Sequence, residues 1–314
     1  MSFPKFPEFR KLTVKDKHAY LHYYSQLNEP YSDFSFDNLI IWLDYHNDLE
    51  ASDLNNNLVI RFTNILDDDA TCYSLVGSSN ISTAADSLLD FLTTHTDCVK
   101  LSYVPEEIID TIRQLNRVDI RIEEDIDNKD YVYNTTDLAG MQGKHYRNLR
   151  ERVIKFASGK SIHTKLFNCT DPLDRAIIDS AILIWSKKNM AHSNDPAKVE
   201  LNAINKHLDL AQHFDIRAYG IYVENELACI TIVHAPPHKG WLIGNHLKYD
   251  TDYPGAFGFT VHHLAIVAQS EGIQWLNCEQ DLGKDGLKFI KTILRPAKFL
   301  QRYTVWLESA VKDQ

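Results

Sequence analysis

The residues best suited to chemistry lie at the end of a predicted strand. Residues 273–279 alternate in the manner of a strand. The period of two puts Trp275, Asn277 and Glu279 on one face, and open α/β sheets usually bind ligands at the carboxyl ends of their strands. A carboxylate there can act as a general base or hold a substrate amine, and an amide can orient another group. We therefore predict Glu279 and Asn277 as catalytic residues. The alternative for Glu279 is a structural role in bracing the turn at Gly283.

A loop with two glycines is the second candidate. Gly255 and Gly258 flank Phe257 where a helix over 257–270 is predicted to begin. The backbone N–H groups and the dipole at the start of a helix attract phosphates and carboxylates. We predict that Gly255, Phe257 and Gly258 contact a donor substrate. The alternative is a simple turn that ends a strand, since two glycines are a weak signal.

A basic segment near the middle of the chain is the third candidate. Residues 143–156 are predicted to be helical, and four apolar residues recur at the spacing of one buried stripe: Tyr146, Leu149, Val153 and Phe156. Lys144, Arg147 and Arg150 follow one another at three-residue spacing on the same helix. They could hold tRNA phosphates or the pyrophosphate of CoA. The alternative is a solvated face paired with acidic side chains.

Several classes of site have no signature in the sequence. The pair His262–His263 has no ligand partner at metal spacing, and His234, His238 and His246 lie outside any H-E-x-x-H pattern. The five cysteines are scattered and form no C-x-x-C pair. We therefore predict no metal site and retain His246 as a minor candidate for a cleft. Nucleophile-elbow, Walker and Rossmann glycine motifs are also missing, which argues against hydrolases, nucleoside triphosphatases and dinucleotide-dependent dehydrogenases.

The composition favours a two-domain globular protein. A chain of 314 residues is longer than most single domains. The net charge of −10 argues against nonspecific binding to nucleic acid or anionic lipid by the whole surface, so any such contact must be local. The sequence shows no signal peptide and no apolar run long enough for a transmembrane segment. We expect a cytoplasmic location.

The predicted elements alternate between helix and strand in two similar passes, which indicates mixed sheets flanked by helices. In the first half the helices are 14–27, 36–45, 83–94 and 105–115, and the strands are 57–62, 71–76, 98–103, 119–124 and 131–133. In the second half the helices are 172–190, 196–213, 257–270 and 284–294, and the strands are 216–223, 227–234, 241–247, 273–279 and 299–307. Asp171 and Asp195 are predicted to cap the helices that follow them.

Particular segments resemble those of a known family. The second half contains YPGAF at 253–257, NCEQDLGKDGL at 277–287 and RP at 295–296, and further support comes from residues 31–42 and 143–150. With these segments the chain resembles the phosphatidylglycerol lysyltransferase C-terminal-like family of tandem GNAT-fold proteins. The resemblance covers nearly the whole chain.

The resemblance implies an α/β fold of two tandem GNAT-like domains. We expect an N-terminal domain over 1–137, a basic connecting helix over 138–158 and a C-terminal domain over 159–314. It also implies an acyl- or aminoacyltransferase whose donor is an aminoacyl-tRNA or an acyl-CoA and whose acceptor is an amine or hydroxyl. No covalently bound cofactor is expected, and CoA or aminoacyl-tRNA would be a co-substrate.

The segments 277–287 and 295–296 add three residues to the predicted donor- and substrate-binding set, namely Asp281, Lys284 and Arg295. Asp281 could instead cap the helix that begins near Lys284. The glycine loop departs from the Q/R-x-x-G-x-G/A pattern of acetyl-CoA sites, because Phe257 stands between Ala256 and Gly258. The alternative function is therefore a non-catalytic GNAT-like protein that binds a ligand or a partner.

Overall fold

The structure, a computed structural model, describes residues 2–42, 49–64, 70–96, 100–190 and 196–308. The chain divides into two compact units. Unit 1 contains Met1–Asp130 and Leu300–Gln314, and unit 2 contains Tyr131–Phe299. Within the described residues, the strands form two seven-stranded mixed sheets. This confirms the predicted α/β class of mixed sheets flanked by helices.

Unit 1 has its strands in the order β1-β2-β3-β4-β5-β14-β6. Its strands are β1 (Arg10–Lys11), β2 (Glu50–Leu54), β3 (Asn57–Asn64), β4 (Ala70–Val76), β5 (Lys100–Pro105), β6 (Ile120–Glu124) and β14 (Arg302–Leu307). Its helices are α1 (Lys17–Tyr24), α2 (Phe36–Ile41), α3 (Ile81–His95) and α4 (Glu106–Gln114). Strands β3 and β4, which include the predicted strands 57–62 and 71–76, pair with each other in antiparallel orientation.

Unit 2 has its strands in the order β13-β7-β12-β11-β10-β9-β8. Its strands are β7 (Asp130–Asn134), β8 (Ile162–Phe167), β9 (Ile216–Val223), β10 (Glu226–His234), β11 (Trp241–Tyr249), β12 (Trp275–Asn277) and β13 (Lys298–Leu300). Its helices are α5 (Thr135–Gly140), α6 (Arg147–Ala157), α7 (Pro172–Met190), α8 (Pro196–Asp209), α9 (Ala256–Ser270) and α10 (Asp285–Ile293). The largest apolar cluster of this unit brings residues of α5, α6 and α9 together with residues of the central strands.

Most predicted elements of the second half lie where the pattern placed them, and β9 and α7 have the predicted bounds. The strand predicted over 273–279 is shorter, because regular pairing ends at Asn277. Strands β1, β2 and β8 and helix α5 were not predicted. The end of the helix predicted over 36–45, the start of the strand predicted at 98 and the cap predicted at Asp195 lie outside the described residues.

Two strands belong to different sheets from those that the sequence suggested. Strand β14 lies between β5 and β6 in unit 1, and β7 lies between β13 and β12 in unit 2. The expected domains 1–137 and 159–314 assigned each of these strands to the other half. Both strands carry buried side chains, and the alternation within a strand does not specify which sheet it joins.

A buried charge network holds β14 in unit 1. The Arg302 side chain is completely buried, and its Nη2 lies 2.9 Å from Asp130 Oδ1 and 3.2 Å from Ser32 Oγ. Ser32 donates from its hydroxyl to Asp130 Oδ1 at 2.7 Å and from its backbone N–H to Asp130 Oδ2 at 2.8 Å. Arg302 also pairs with Asp33. Burial lowers the pKa of Arg302, but Asp130 and Asp33 raise it more, so the net pKa is above its ordinary value and the guanidinium stays charged.

Replacing Arg302 with Met should destabilise unit 1 by about 3–5 kcal/mol, because Asp130 would keep a buried charge without its partner. The measurement is urea unfolding followed by circular dichroism. The control is Arg113→Met, which removes an exposed ion pair with Asp110 and should cost at most about 1 kcal/mol. Equal losses in the two variants would show that the buried network does not stabilise the unit.

Candidate functional site

The end of the β11–β12 ladder defines the candidate site in unit 2. The two strands pair in parallel over only three positions, ending at Ile243 and Asn277, whereas β11 continues to Tyr249. The register of β11 against β10 shifts at Asn245, which has no paired residue in that ladder and therefore forms a β-bulge. Bulges of this kind redirect a side chain and are common beside active sites.

Glu279 lies just beyond this end of β12. Its φ of 58° is in the left-handed region, so the alternation predicted from the strand does not extend to it. Its backbone N–H donates to Asn277 Oδ1 at 2.8 Å, and its carbonyl accepts from the N–H of Tyr131 at 3.1 Å. The half-buried carboxylate accepts a hydrogen bond from Asn245 Nδ2 at 3.1 Å. The turn therefore directs Glu279 toward the bulge in β11.

Asn245 links this carboxylate to His234, the last residue of β10. Asn245 Oδ1 lies 2.8 Å from His234 Nδ1. Because Asn245 uses its amino group toward the carboxylate, its oxygen faces the imidazole and His234 Nδ1 is the donor. In the neutral ring this fixes the proton on Nδ1 and leaves the lone pair on Nε2. Glu279, Asn245 and His234 thus form one hydrogen-bonded chain across three segments.

Sequence reasoning did not select Asn245 or His234 as site residues. Asn245 has no distinguishing neighbours in the sequence, and its position depends on a bulge that cannot be recognised from residue types. His234 lies 45 positions before Glu279. The alternating pattern of β10 predicted the strand that carries His234 but did not predict the contact with Asn245.

Asn277 lies close to Glu279 and is completely buried. Its side-chain oxygen accepts the N–H of Glu279, two residues ahead, and so stabilises the left-handed conformation there. The structure therefore shows that Asn277 positions the backbone of Glu279. Its predicted catalytic role stays a prediction.

Asp281 and Lys284 belong to the turn that precedes α10. Asp281 is buried. Its carboxylate accepts hydrogen bonds from the Tyr131 hydroxyl at 2.5 Å and from the N–H of Gly283 at 2.9 Å. Its backbone carbonyl accepts a hydrogen bond from the N–H of Lys284 at 3.0 Å. Burial and the hydrogen bond to Asp281 raise the pKa of Tyr131 to about 12. The structure thus shows Asp281 bracing this turn, while the Lys284 side chain is exposed. Substrate binding by either residue stays a prediction.

The two glycines at the start of α9 allow close contact with α6. Gly255 has a φ of 99°, and a Cβ added there would lie 3.3 Å from the Cβ of Phe156. A Cβ on Gly258 would lie 3.3 Å from Leu149 Cδ1. Phe257 is half-buried against the apolar cluster of unit 2. Helix packing therefore accounts for both glycines, and donor binding by the loop stays a prediction.

The basic segment forms α6 together with a preceding turn of 3-10 helix at Lys144–Tyr146. All four residues of the predicted apolar stripe are buried, which confirms that prediction: Tyr146, Leu149, Val153 and Phe156. Arg147 pairs with Glu151 at 2.8 Å, and both side chains are exposed. Arg150 donates to the carbonyl of Met141 at 2.5 Å, at the end of α5. Lys144 is exposed. Lys144, Arg147 and Arg150 therefore do not share one role, since Arg150 stabilises the fold through its hydrogen bond to Met141.

Arg295 lies away from the Glu279 chain of hydrogen bonds, beside an open cavity of about 810 Å³. Its Nε donates to the carbonyl of His145 at 3.1 Å, and its φ is 61°. The cavity is also lined by Asp137, Tyr146 and Gln269. The structure therefore does not bring Arg295 together with Glu279 in one hydrogen-bonded cluster.

Replacing Asn277 with Ala should cost about 1–3 kcal/mol of folding stability, since the N–H of Glu279 would lose its acceptor in a half-buried turn. The measurement is urea unfolding of the full chain. The control Asn148→Ala removes an exposed amide from α6 and should change stability by less than about 0.5 kcal/mol. Equal stability of the two variants would contradict the assigned role of Asn277.

Solved structures of low sequence identity have the same fold. A conserved protein of unknown function from Bacteroides thetaiotaomicron superposes with a TM-score of 0.83 at 20% identity, over 95% of this chain and 99% of that one. FemX gives a TM-score of 0.58 at 8% identity, over 97% and 98% of the two chains. L-PGS from Bacillus licheniformis gives 0.56 at 10% identity, over 80% and 81%. The two units are GNAT-like domains in tandem, as predicted.

A family profile described as phosphatidylglycerol lysyltransferase, C-terminal, matches residues 24–306. The chain belongs to this family, which confirms the resemblance seen in its motifs. No curated protein matches the sequence. None of the helices in the described ranges is long and apolar enough to cross a membrane.

Proposed function

We propose that the protein is a GNAT-type aminoacyltransferase whose reaction takes place in unit 2, beside Glu279. The family is named for a lysyltransferase, which supports transfer of an aminoacyl group. The observation that carries the proposal is the placement of a half-buried carboxylate where the β11–β12 ladder ends. A polar group at the carboxyl ends of parallel strands is well placed to meet a ligand.

In the proposed reaction, an aminoacyl-tRNA is the donor and an amine or hydroxyl is the acceptor. The acceptor atom attacks the carbonyl carbon of the aminoacyl ester, a new amide or ester bond forms, and the bond to the tRNA ribose oxygen breaks. Glu279 takes the proton that the acceptor loses, and the departing ribose oxygen takes up a proton. Such general base catalysis typically contributes 10²- to 10⁴-fold to the rate.

The hydrogen-bonded chain gives Glu279 a defined position for this role. Asn245 Nδ2 donates to its carboxylate and the Asn277 side chain holds its backbone. A base that is fixed in place does not have to be ordered when the acceptor binds, which lowers the entropic cost of reaching the transition state.

An aminoacyl-tRNA is favoured over an acyl-CoA by the packing around α9. The side chains of Phe156 and Leu149 occupy the space next to Gly255 and Gly258, where a phosphate-binding loop would need open space. The neighbouring basic helix presents exposed cations, including Lys144 and Arg152, which can contact phosphates of a larger nucleic acid.

Glu279→Gln should reduce aminoacyl transfer at least 100-fold, because the amide cannot accept the acceptor's proton. The assay measures transfer of radiolabelled lysine from lysyl-tRNA to phosphatidylglycerol, with acetyl-CoA tested as the competing donor. The control Glu271→Gln changes a carboxylate of the same unit that pairs with Arg217, and it should keep full activity. Both variants should unfold at the same temperature as the wild type.

Full activity in Glu279→Gln would disprove the role of Glu279. Turnover with acetyl-CoA but not with lysyl-tRNA would show that the donor is acetyl-CoA and would disprove the proposed donor. Binding of lysyl-tRNA without turnover by the wild type would favour the alternative of a non-catalytic GNAT-like binding protein.

Binding of tRNA should depend strongly on salt. The double variant Lys144→Gln, Arg152→Gln should lower the slope of log affinity against log salt by roughly 1.4, the value for two lost contacts to single-stranded nucleic acid. The matched control is Lys239→Gln, Lys288→Gln, which removes two exposed cations elsewhere in unit 2. Filter binding of labelled tRNA between low and moderate salt gives the slopes. An affinity that does not change with salt, or equal slopes in both double variants, would rule out the basic helix as the tRNA contact.

A further inference from the structure

Helix α10 and the turn before it carry apolar side chains that face solvent. Leu282, Leu287 and Phe289 are 46%, 38% and 62% exposed. No residue of α10 is buried. Large apolar groups exposed close together mark surfaces that bind proteins or membranes. We propose that this surface, called here the α10 surface and formed by Leu282, Lys284, Leu287, Lys288 and Phe289, docks onto a bilayer that contains anionic phospholipids.

Cations lie among these apolar side chains. Lys284 and Lys288 are exposed and four residues apart, so they lie on one side of α10. Neither has an ion pair within the ranges that the structure describes. Residues 282–299 contain five basic residues and one acidic residue, although the net charge of the chain is −10. Salt screens charges over about 8 Å at physiological ionic strength, so the local charge determines the attraction to anionic head groups.

The two sides of α10 differ as they do in a helix that lies in a membrane interface. Ile290 and Ile293 are half-buried, and Ile293 packs against the apolar cluster of unit 2. Phe289 and the two lysines stay in solvent. Interfacial helices combine lysines that contact head groups with Phe or Leu side chains that enter the acyl boundary. The α10 surface supplies both kinds of group within eight residues.

Nucleic acid is the competing occupant, because its phosphates also attract lysine. It would leave Leu282 and Leu287 in water, since aliphatic side chains neither pair with phosphates nor stack on bases as aromatic rings do. A bilayer offers phosphates to the lysines and acyl chains to the apolar side chains at the same time. The mixture of exposed groups therefore favours a lipid surface.

Helix α10 is attached to the turn that contains Glu279. Lys291 Nζ donates to the carbonyl of Cys278 at 2.6 Å and also to the carbonyl of Gln280, the residues on either side of Glu279. A bilayer bound at the α10 surface would therefore lie near this carboxylate, which would favour a lipid acceptor. Only this step rests on the proposed function.

The test is flotation of the full chain with vesicles of phosphatidylcholine, with and without phosphatidylglycerol. The wild type should float with the anionic vesicles, bind the neutral ones more weakly, and be released from the anionic vesicles as the salt concentration rises. Absence of binding to the anionic vesicles would overturn the proposal without any variant. The assay contains no tRNA and measures no transfer, so its failure leaves the role of Glu279 to be decided by Glu279→Gln.

The apolar part of the surface is tested at Phe289. Phe289→Ser should weaken binding to the anionic vesicles about 5- to 20-fold, because the ring can no longer be buried. Phe289→Trp should keep the affinity. The control Leu173→Ser changes an apolar side chain of α7 that is 77% exposed, and it should bind normally. Equal losses in Phe289→Ser and Leu173→Ser would rule out the α10 surface.

The cations are tested by the double variant Lys284→Gln, Lys288→Gln. It should bind anionic vesicles roughly 30-fold more weakly at low salt, and the difference should disappear at high salt. The matched control is Lys155→Gln, Lys239→Gln, which removes two exposed cations elsewhere in unit 2 and should bind normally. Equal affinities of the two double variants would contradict the proposal. Unchanged vesicle binding together with weaker tRNA binding by Lys284→Gln, Lys288→Gln would identify nucleic acid as the occupant.

Discussion

The hydrogen bond from the N–H of Glu279 to the side chain of Asn277 determines the geometry of the candidate site. It lets the chain turn through a left-handed conformation directly after β12, at a residue other than glycine. Such conformations cost free energy and persist where surrounding contacts stabilise them. Here the carbonyl of Glu279 is also held by Tyr131, so the turn is bound on both sides of the residue. The direction of the carboxylate, and with it the contact to Asn245, follows from this turn.

The contact between α6 and α9 shows that glycines at the start of a helix have two interpretations, a ligand-binding loop or a packing surface. Glycines before a helix suggest anion binding, but Gly255 and Gly258 lie where the buried stripe of α6 needs space. The same helix carries cations on its exposed side. An apolar face that packs against α9 and an exposed charged face are consistent with the amphipathic pattern of this helix.

Elements that depend on a local residue pattern could be predicted from the sequence. The strands β9 and β10, the helices α7 and α9 and the buried stripe of α6 were predicted because their periodicity is expressed within one segment. Glu279 was selected as the last residue of a predicted strand, although the strand itself ends at Asn277. Asn245 depends on a bulge and His234 comes from a separate strand, so no spacing in the sequence joins either residue to Glu279. The sheets joined by β7 and β14 depend on long-range partners such as Arg302 and Asp130, which residue types alone do not pair.

The position of β14 has a consequence for synthesis of the chain on the ribosome. The sheet of unit 1 needs residues 302–307 between β5 and β6, and these residues are translated after all of unit 2. Until they emerge, β5 and β6 each keep an open edge, and exposed strand edges favour aggregation. Unit 2 is contiguous and can complete its fold first. The sheet of unit 1 can therefore be completed only after all of unit 2 has been translated, whereas domains usually fold in order from the N-terminus during translation.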